Sequence, residues 1–500
     1  MKHAAKNLLV VGAGVVVLGG VLAALLLTGS GDGEETSSAA ESSSSSSISL
    51  VSREEEDITS MEVTNQYGTY TIVPYEHVSE VEVSDESGGT TTETTTNTLY
   101  RIAEYGDSAP LNTYTTERVL ECGFSLNATR NIGEVADLSE YGLTDPQATV
   151  KVNFNDGTDF EYLLGNANAG DGSGYYMCVS GSNNVYIVSV DDEIFEDKTT
   201  FINKTLLSLS YSAEEIGTVV DGLTLSGTQY PDPIEITFNE EDSTYTMMAG
   251  HEMELDTDEY STILATLTSL SADDVAYVCP TAEDLAAAGL DNPSAVVEFS
   301  ITDGDTYRLS AGRSENGMTH VMVNGKDAVY LVEDSKVSTW TQNSAYNMRS
   351  KFVKLPMITE VQSMTVTING EVTEFVLSRT KDEEKSTEDS TVYNYEVTGN
   401  GKKLTYDDYF QKYYQSIIGI QLLEETDEEP TGEPVVTLTY HYYDEFNRPD
   451  DVISFYEAGT RRYLAQTNGG TDGLVSSTYI DRIAPNTEKM LNDERVYVNQ

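Results

Sequence analysis

The chain has 500 residues, room for about two to four domains of about 100–200 residues each. Its 84 acidic residues against 28 basic ones leave a formal net charge of −56. That balance repels nucleic-acid phosphates and anionic lipid headgroups, which excludes DNA and RNA as partners.

Leu8 to Leu27, LLVVGAGVVVLGGVLAALLL, carries no charge and is long enough to cross about 30 Å of hydrocarbon as a helix. Lys2 and Lys6 precede it, whereas Asp32, Glu34 and Glu35 follow, so the positive-inside rule places residues 1–7 in the cytoplasm and the bulk outside. The run exceeds a signal-peptide core and no A-x-A-like site follows at once, which favours an uncleaved anchor over a cleaved signal. No cysteine closes it, so lipoprotein modification is excluded. Residues 1–28 are therefore read as a transmembrane anchor, and residues 29–57, with six serines from Ser42 to Ser47, as a disordered tether.

Beyond the tether, Met61 to Val73 alternates around a Gly turn and predicts a hairpin. Ser84 to Asn97 reads as a polar loop, and Tyr114 to Phe124 as a helix. Tyr141 to Gly165 then punctuates a strand pair: Gly142-Leu143 and Pro146 precede Val150, Val152 and Phe154, and Asp156-Gly157 makes the turn. This stretch returns as Ala288 to Gly312. Gly289, Leu290, Pro293, Asp303, Gly304 and Gly312 repeat Gly142, Leu143, Pro146, Asp156, Gly157 and Gly165 at one offset of 147 residues (289 − 142). Val329-Tyr330-Leu331-Val332 likewise repeats Val185-Tyr186-Ile187-Val188. Each is followed by a mixed segment read as a second helix, holding Phe195 and Phe201 in the first copy, Val337 and Trp340 in the second. Between the two copies, Ile263, Leu264, Leu267 and Leu270 form an apolar helical stripe behind Asp256 and Glu259 at capping-box spacing.

A third, degraded copy follows. It has a hairpin around Asn369-Gly370 and a helix from Tyr406 with Thr405 and Asp408 at its cap. Its strands then run to VVTLTYHYY, VISFYEAG and RRYLAQTNG, with no Gly-Leu before Pro434. The expected fold is α+β: repeated antiparallel meanders with two helices each, behind an N-terminal transmembrane helix. The units are 58–210, 211–355 and 356–500. The 32 tyrosines, against one tryptophan, fit half-solvated strands, with a tyrosine-lined sugar or peptide face as the alternative.

The ordered pattern GL-x-x-P, DG, G, YY and VYxV resembles a bacterial family known as domain of unknown function 4340. The resemblance covers residues 60–355 well and 356–500 loosely. It implies a membrane-anchored extracytoplasmic protein, with relatives encoded beside export-type ABC permeases or gliding-associated transport components. It supplies no catalytic residues.

The residues themselves name no site, whether catalytic, cofactor-binding or metal-binding. Cys122, Cys178 and Cys279 are odd in number and lack C-x-x-C spacing, and are read as buried free thiols. His3, His77, His251, His320 and His441 stand singly, without H-E-x-x-H or a G-x-S-x-G elbow. The best metal-like run is His251 to Asp256. There Glu252, Glu254 and Asp256 share one strand face, a candidate for Ca²⁺ or, more simply, a solvated face leading to a helix cap. Asp303-Gly304-Asp305 and Asp171-Gly172 are turn chemistry. The expectation is a non-enzymatic scaffold or accessory subunit of an ABC-type export or envelope complex, with no cofactor. Its partners would be the membrane, through the N-terminal helix, and a permease or envelope proteins. A cell-surface ligand-binding or adhesion module, and an envelope-polymer hydrolase, are the alternatives.

Overall fold

The computed structural model describes residues 47–84, 90–170, 172–239, 244–302, 304–387 and 391–497. The expected membrane-spanning segment and most of the tether lie outside the described residues, as do Asp171 and Asp303. Among the described residues no helix is long and apolar enough to cross a membrane. Residues 48–57, assigned above to the tether, instead form a strand and a 3-10 turn at Glu55–Asp57.

The first unit holds β1 (Ile48–Ser52), β2 (Ile58–Asn65), β3 (Gly68–Ser84), β4 (Thr90–Ile102), β5 (Ser125–Glu134), β6 (Ala148–Phe154), β7 (Asp159–Ala167), β8 (Tyr175–Val179) and β9 (Asn184–Val188). They form a nine-stranded sheet in the order β1-β5-β9-β8-β7-β6-β2-β3-β4. Next come β10 (Thr205–Ser208), β11 (Val220–Ser226), β12 (Ile234–Asn239), β13 (Thr244–Ala249), β14 (His251–Met253), β15 (Ser269–Ser271), β16 (Asp274–Val278), β17 (Ala295–Ile301), β18 (Thr306–Glu315), β19 (Met318–Val323) and β20 (Ala328–Glu333). Strands β10 and β15 pair as a ribbon of their own. The rest form a second nine-stranded sheet, β14-β13-β12-β11-β17-β18-β19-β20-β16. The third holds β21 (Val361–Ile368), β22 (Glu371–Lys381), β23 (Tyr393–Gly399), β24 (Lys402–Leu404), β25 (Leu422–Glu424), β26 (Val436–Tyr442), β27 (Asp451–Glu457), β28 (Arg462–Thr467) and β29 (Gly470–Ser476), in the order β24-β23-β22-β21-β26-β27-β28-β29-β25.

These three orders are one topology. From a central strand, two strands in the first unit and three in the others step outward, and a helix crosses the sheet. A strand then lands on the far side of the sheet (at its edge in the second and third units, beside β1 in the first), and a four-stranded meander fills the gap between. The crossing helices are Thr113–Phe124, Thr257–Thr266 and Gln411–Ile418. The degraded third copy therefore keeps the whole strand order of the second. The first unit differs by adding β1 beside β5 and lacking a counterpart of β14 and β24.

The α+β expectation is overturned: 46% of the described residues lie in strands and 21% in helices, and the sheets are large and antiparallel. One helix of 12 residues or fewer makes the crossover of each unit, and the second unit also has its expected second helix, Asp334–Thr341, with Val337 and Trp340 buried. The expected second helix of the first unit is two 3-10 turns, Asp192–Phe195 and Lys198–Phe201. There the Asp191 and Asp197 carboxylates take the backbone N–H two residues on, the local alternative to a helix. The expected polar loop at Ser84 to Asn97 gives up Thr90 onward to β4, because β-branched threonine suits an extended strand whatever its polarity. In the third unit Thr405 makes no side-chain cap, and Asp408 sits at φ +65° inside a π-turn. Thr405 bonds to Asp493 instead.

Alternation places the cores. Ala148, Val150, Val152 and Phe154 of β6 are buried, as are Val436, Leu438, Tyr440 and Tyr442 of β26, while the residues between them are half exposed. One continuous apolar core runs through the first two sheets and ends at Trp340 and Met348. The third sheet has a core of its own, from Val353 to Val496. The first two units thus merge through oil, and the third joins them through something else.

Candidate functional site

That second junction is polar. Strand β14 brings His251 and Glu252 against the turn leading into β29, and the segment 349–356 threads between the two sheets. Gly470 makes the close approach possible: a Cβ there would lie 2.1 Å from the His251 ring.

Arg349 is buried, and its Nη1 donates to Asp472 Oδ1 at 2.8 Å and to the Asp472 carbonyl at 3.1 Å. His251 Nε2 lies 3.4 Å from the same Oδ1. A few residues on, the Lys354 ammonium meets Glu252 at 2.7 Å, Glu254 at 3.2 Å and Asp451 at 3.9 Å. Asp451 also accepts from the Tyr442 hydroxyl at 2.5 Å, from Arg448 Nη2 at 3.2 Å and from Asn468 Nδ2 at 3.0 Å. Burial first, and the Asp451 carboxylate second, push the Tyr442 phenol far above its ordinary range. Charges this deep survive only when paired, and here nearly every one is.

Beside the Arg349–Asp472 pair opens a cleft of about 600 Å³. Its walls carry Tyr230, Ile234, Ala249 and Tyr346, and its rim is the acidic segment after β25, through Glu429. Of the metal-like run, alternation does set Glu252 and Glu254 on one side, but both face Lys354. Asp256 turns away to accept from the backbone N–H of Asp258 and Glu259, capping the helix Thr257–Thr266. Among the described residues no group of three His, Cys, Asp or Glu could hold a metal ion. Arg349, Lys354, Asp451 and Asp472 were not picked out by sequence. Their available signal was cations embedded in apolar runs of an acidic chain, Met348-Arg349 and Val353-Lys354-Leu355.

A second cleft, of about 750 Å³, lies in the first unit between its crossing helix and the segment after β9. Arg118 pairs there with Asp191 and Glu193. Cys122 accepts from the Asp191 N–H at 3.5 Å, and burial raises its thiol to about 11, so it is no nucleophile at neutral pH. Cys178 is buried and Cys279 half-buried, and all three thiols are free. Among the remaining histidines, His441 Nδ1 lies 2.7 Å from Asp450, and His320 bonds to the Arg313 carbonyl at 2.8 Å. His77 is exposed on β3. The four described histidines are not brought together, and His3 lies outside the described residues.

Three copies of one sheet topology, joined once through a shared core and once through buried ion pairs, make this a mainly β tandem-repeat protein. The family described as Domain of unknown function (DUF4340) matches residues 108–293 and again 246–411, together more than half of the chain. The chain belongs to that family. No curated protein and no solved structure matches it.

Proposed function

We propose that the chain is a non-enzymatic scaffold and binding subunit, held at a membrane by Leu8 to Leu27 with its sheets outside. There it would serve an ABC-type export or envelope-associated complex. The observation that carries the scaffold reading is the repeated topology with fixed junctions. Three sheets set in series by a common core and by Arg349, Lys354, Asp451 and Asp472 suit presenting a surface better than closing on a substrate. The uncharged 20-residue run and its flanking lysines support the membrane placement, and the family resemblance supports the transport partner.

Crosslinking in intact cells, followed by affinity purification of the full chain, tests this. The expected result is recovery of a permease or envelope component. Recovery of neither, under conditions that retain known membrane complexes, would reject the accessory-subunit reading.

A further inference from the structure

We propose that the solvent-facing side of the third sheet docks a second copy of this chain. This goes beyond the scaffold reading and does not rest on it.

The first observation is a change within the repeat. On the open face of the first sheet, Lys151 of β6 stands opposite Glu161 of β7. The second sheet, 147 residues on, carries the same pair with its signs exchanged: Glu298 of β17 and Arg308 of β18, joined at 2.8 Å. In the third sheet, the alternation of buried residues puts Thr439 of β26 opposite Val452 of β27 at that place. The ion pair is gone, and Val452 is left 37% exposed. The change extends over the face. Thr365 and Thr367 of β21 lie beside Thr439 and Thr437, while Val372 and Val376 of β22 are 62% and 38% exposed. Val452, Ser454, Tyr456 and Gln466 line an open groove of about 580 Å³ there. Charges keep to the margins: His441 meets Asp450 at 2.7 Å and Lys403 meets Glu396 at 2.5 Å, with Glu374 on the outlying strand β22. A centre depleted of charge inside a polar rim is the anatomy of a protein interface.

The occupant follows from charge, chemistry and area. Two chains of net charge −56 repel through any surface that shares their average acidity. They can meet where the surface is methyl and hydroxyl instead. Threonine and serine hydroxyls both donate and accept, so such a face is complementary to itself, as a two-fold contact requires. A basic partner would need carboxylates and an acidic one cations, and the centre of this face offers neither. Strands β22, β21, β26, β27 and β28, spaced about 4.8 Å apart and rising about 3.4 Å per residue, make a face of about 24 by 20 Å. Two copies would bury roughly 1,000 Å², the lower limit of a specific interface, which implies a Kd on the order of 10 µM.

Sedimentation velocity of the full-length chain in detergent, over concentrations spanning that Kd, tests the proposal. A reversible monomer–dimer equilibrium is expected. Thr439→Glu/Val452→Arg gives the third sheet the pair that the second sheet already carries, and it leaves the net charge unchanged. It should weaken the dimer at least about tenfold, because the new charges lose their water on docking. Val372→Lys, at a position 62% exposed, repeats the test where the fold is not at stake, and decides the matter if the double variant does not fold. Weakening by either variant, with the melting temperature unchanged, supports this face as the contact. A chain that stays monomeric throughout the range overturns the proposal. A dimer unchanged in both variants overturns it too, because association would then belong to another surface, the Leu8 to Leu27 segment included.

Discussion

Arg349 and Asp472 stand 123 residues apart and meet at 2.8 Å, each side chain 1% exposed, where the second sheet joins the third. Two buried charges gain little over a well-packed apolar pair, but removing one strands the other. Arg349→Met should therefore cost about 3–5 kcal/mol. Arg349→Met/Asp472→Leu should recover much of that loss. Denaturant unfolding followed by the fluorescence of Trp340, the single tryptophan, and by far-UV circular dichroism would measure both. Equal destabilisation in the single and double variants would show that the pair's surroundings, not its charges, hold the junction.

Gly165 and Gly312 should prove equally intolerant of a side chain. A Cβ on Gly165 would lie 2.2 Å from the Tyr141 carbonyl oxygen, and one on Gly312 would lie 2.1 Å from that of Ala288. In both units the GL-x-x-P loop folds back on the end of the meander's second strand, and the loop's own glycine, Gly142 or Gly289, takes the left-handed turn at φ +73° or +72°. Gly165→Ala and Gly312→Ala should each cost about 1–3 kcal/mol through overpacking. Gly157→Ala meets nothing within 4 Å, so it should cost only the roughly 1 kcal/mol of a left-handed alanine. Parallel denaturation curves for the three variants make the comparison.

Strand periodicity and the duplicated glycines made much of this architecture readable in advance. Alternation such as Val150, Val152, Phe154 is imposed by one buried face, and it survives in the third copy where the loop signature does not. Thr90 to Asn97 is polar enough to read as loop, yet its β-branched threonines extend β4, and Asp191 and Asp197 favour short turns where the first unit's second helix was expected. The junction left no such trace. His251 and Asp472 lie 221 residues apart, and Lys354 and Glu252 lie 102 apart, so only the packing of two sheets brings them together. Of the three carboxylates in the His251 to Asp256 run, Glu252 and Glu254 take their counter-charge from a lysine a hundred residues on, and Asp256 caps a helix.

Thiol reactivity should separate the three cysteines. Burial raises Cys122 to about 11 and also raises Cys178, so at pH 8 both hold little thiolate. Cys279 is half-buried, at the edge of the second sheet beside Ser108. Titration of the native chain with a disulfide reagent should show one fast thiol, mapped by mass spectrometry to Cys279, with the other two released by denaturant. Fast labelling of Cys122 would mean that the helix Thr113–Phe124 opens readily.

Lys354 sets the alkaline limit of the second junction. Burial alone would lower its pKa, but the Glu254 and Asp451 charges and the Glu252 hydrogen bond outweigh that and leave it raised. A folded-state pKa above the unfolded value, about 10.4 for lysine, contributes stability that is fully present below the unfolded pKa. That stability is lost as pH rises through the folded pKa, where the native state no longer holds the extra proton. The junction should thus be indifferent to pH between neutrality and about 10, and weaken above it. Lys354→Met leaves Glu252, Glu254 and Asp451 without their shared cation. It should destabilise the fold by about 1–3 kcal/mol at pH 7. Because its titrating group is gone, the variant should also show a shallower fall in melting temperature above pH 10 than the parent chain. Melting curves of both proteins from pH 7 to 11.5 measure the difference. Identical slopes above pH 10 would mean that the three carboxylates do not hold the Lys354 proton, and that another group sets the alkaline limit.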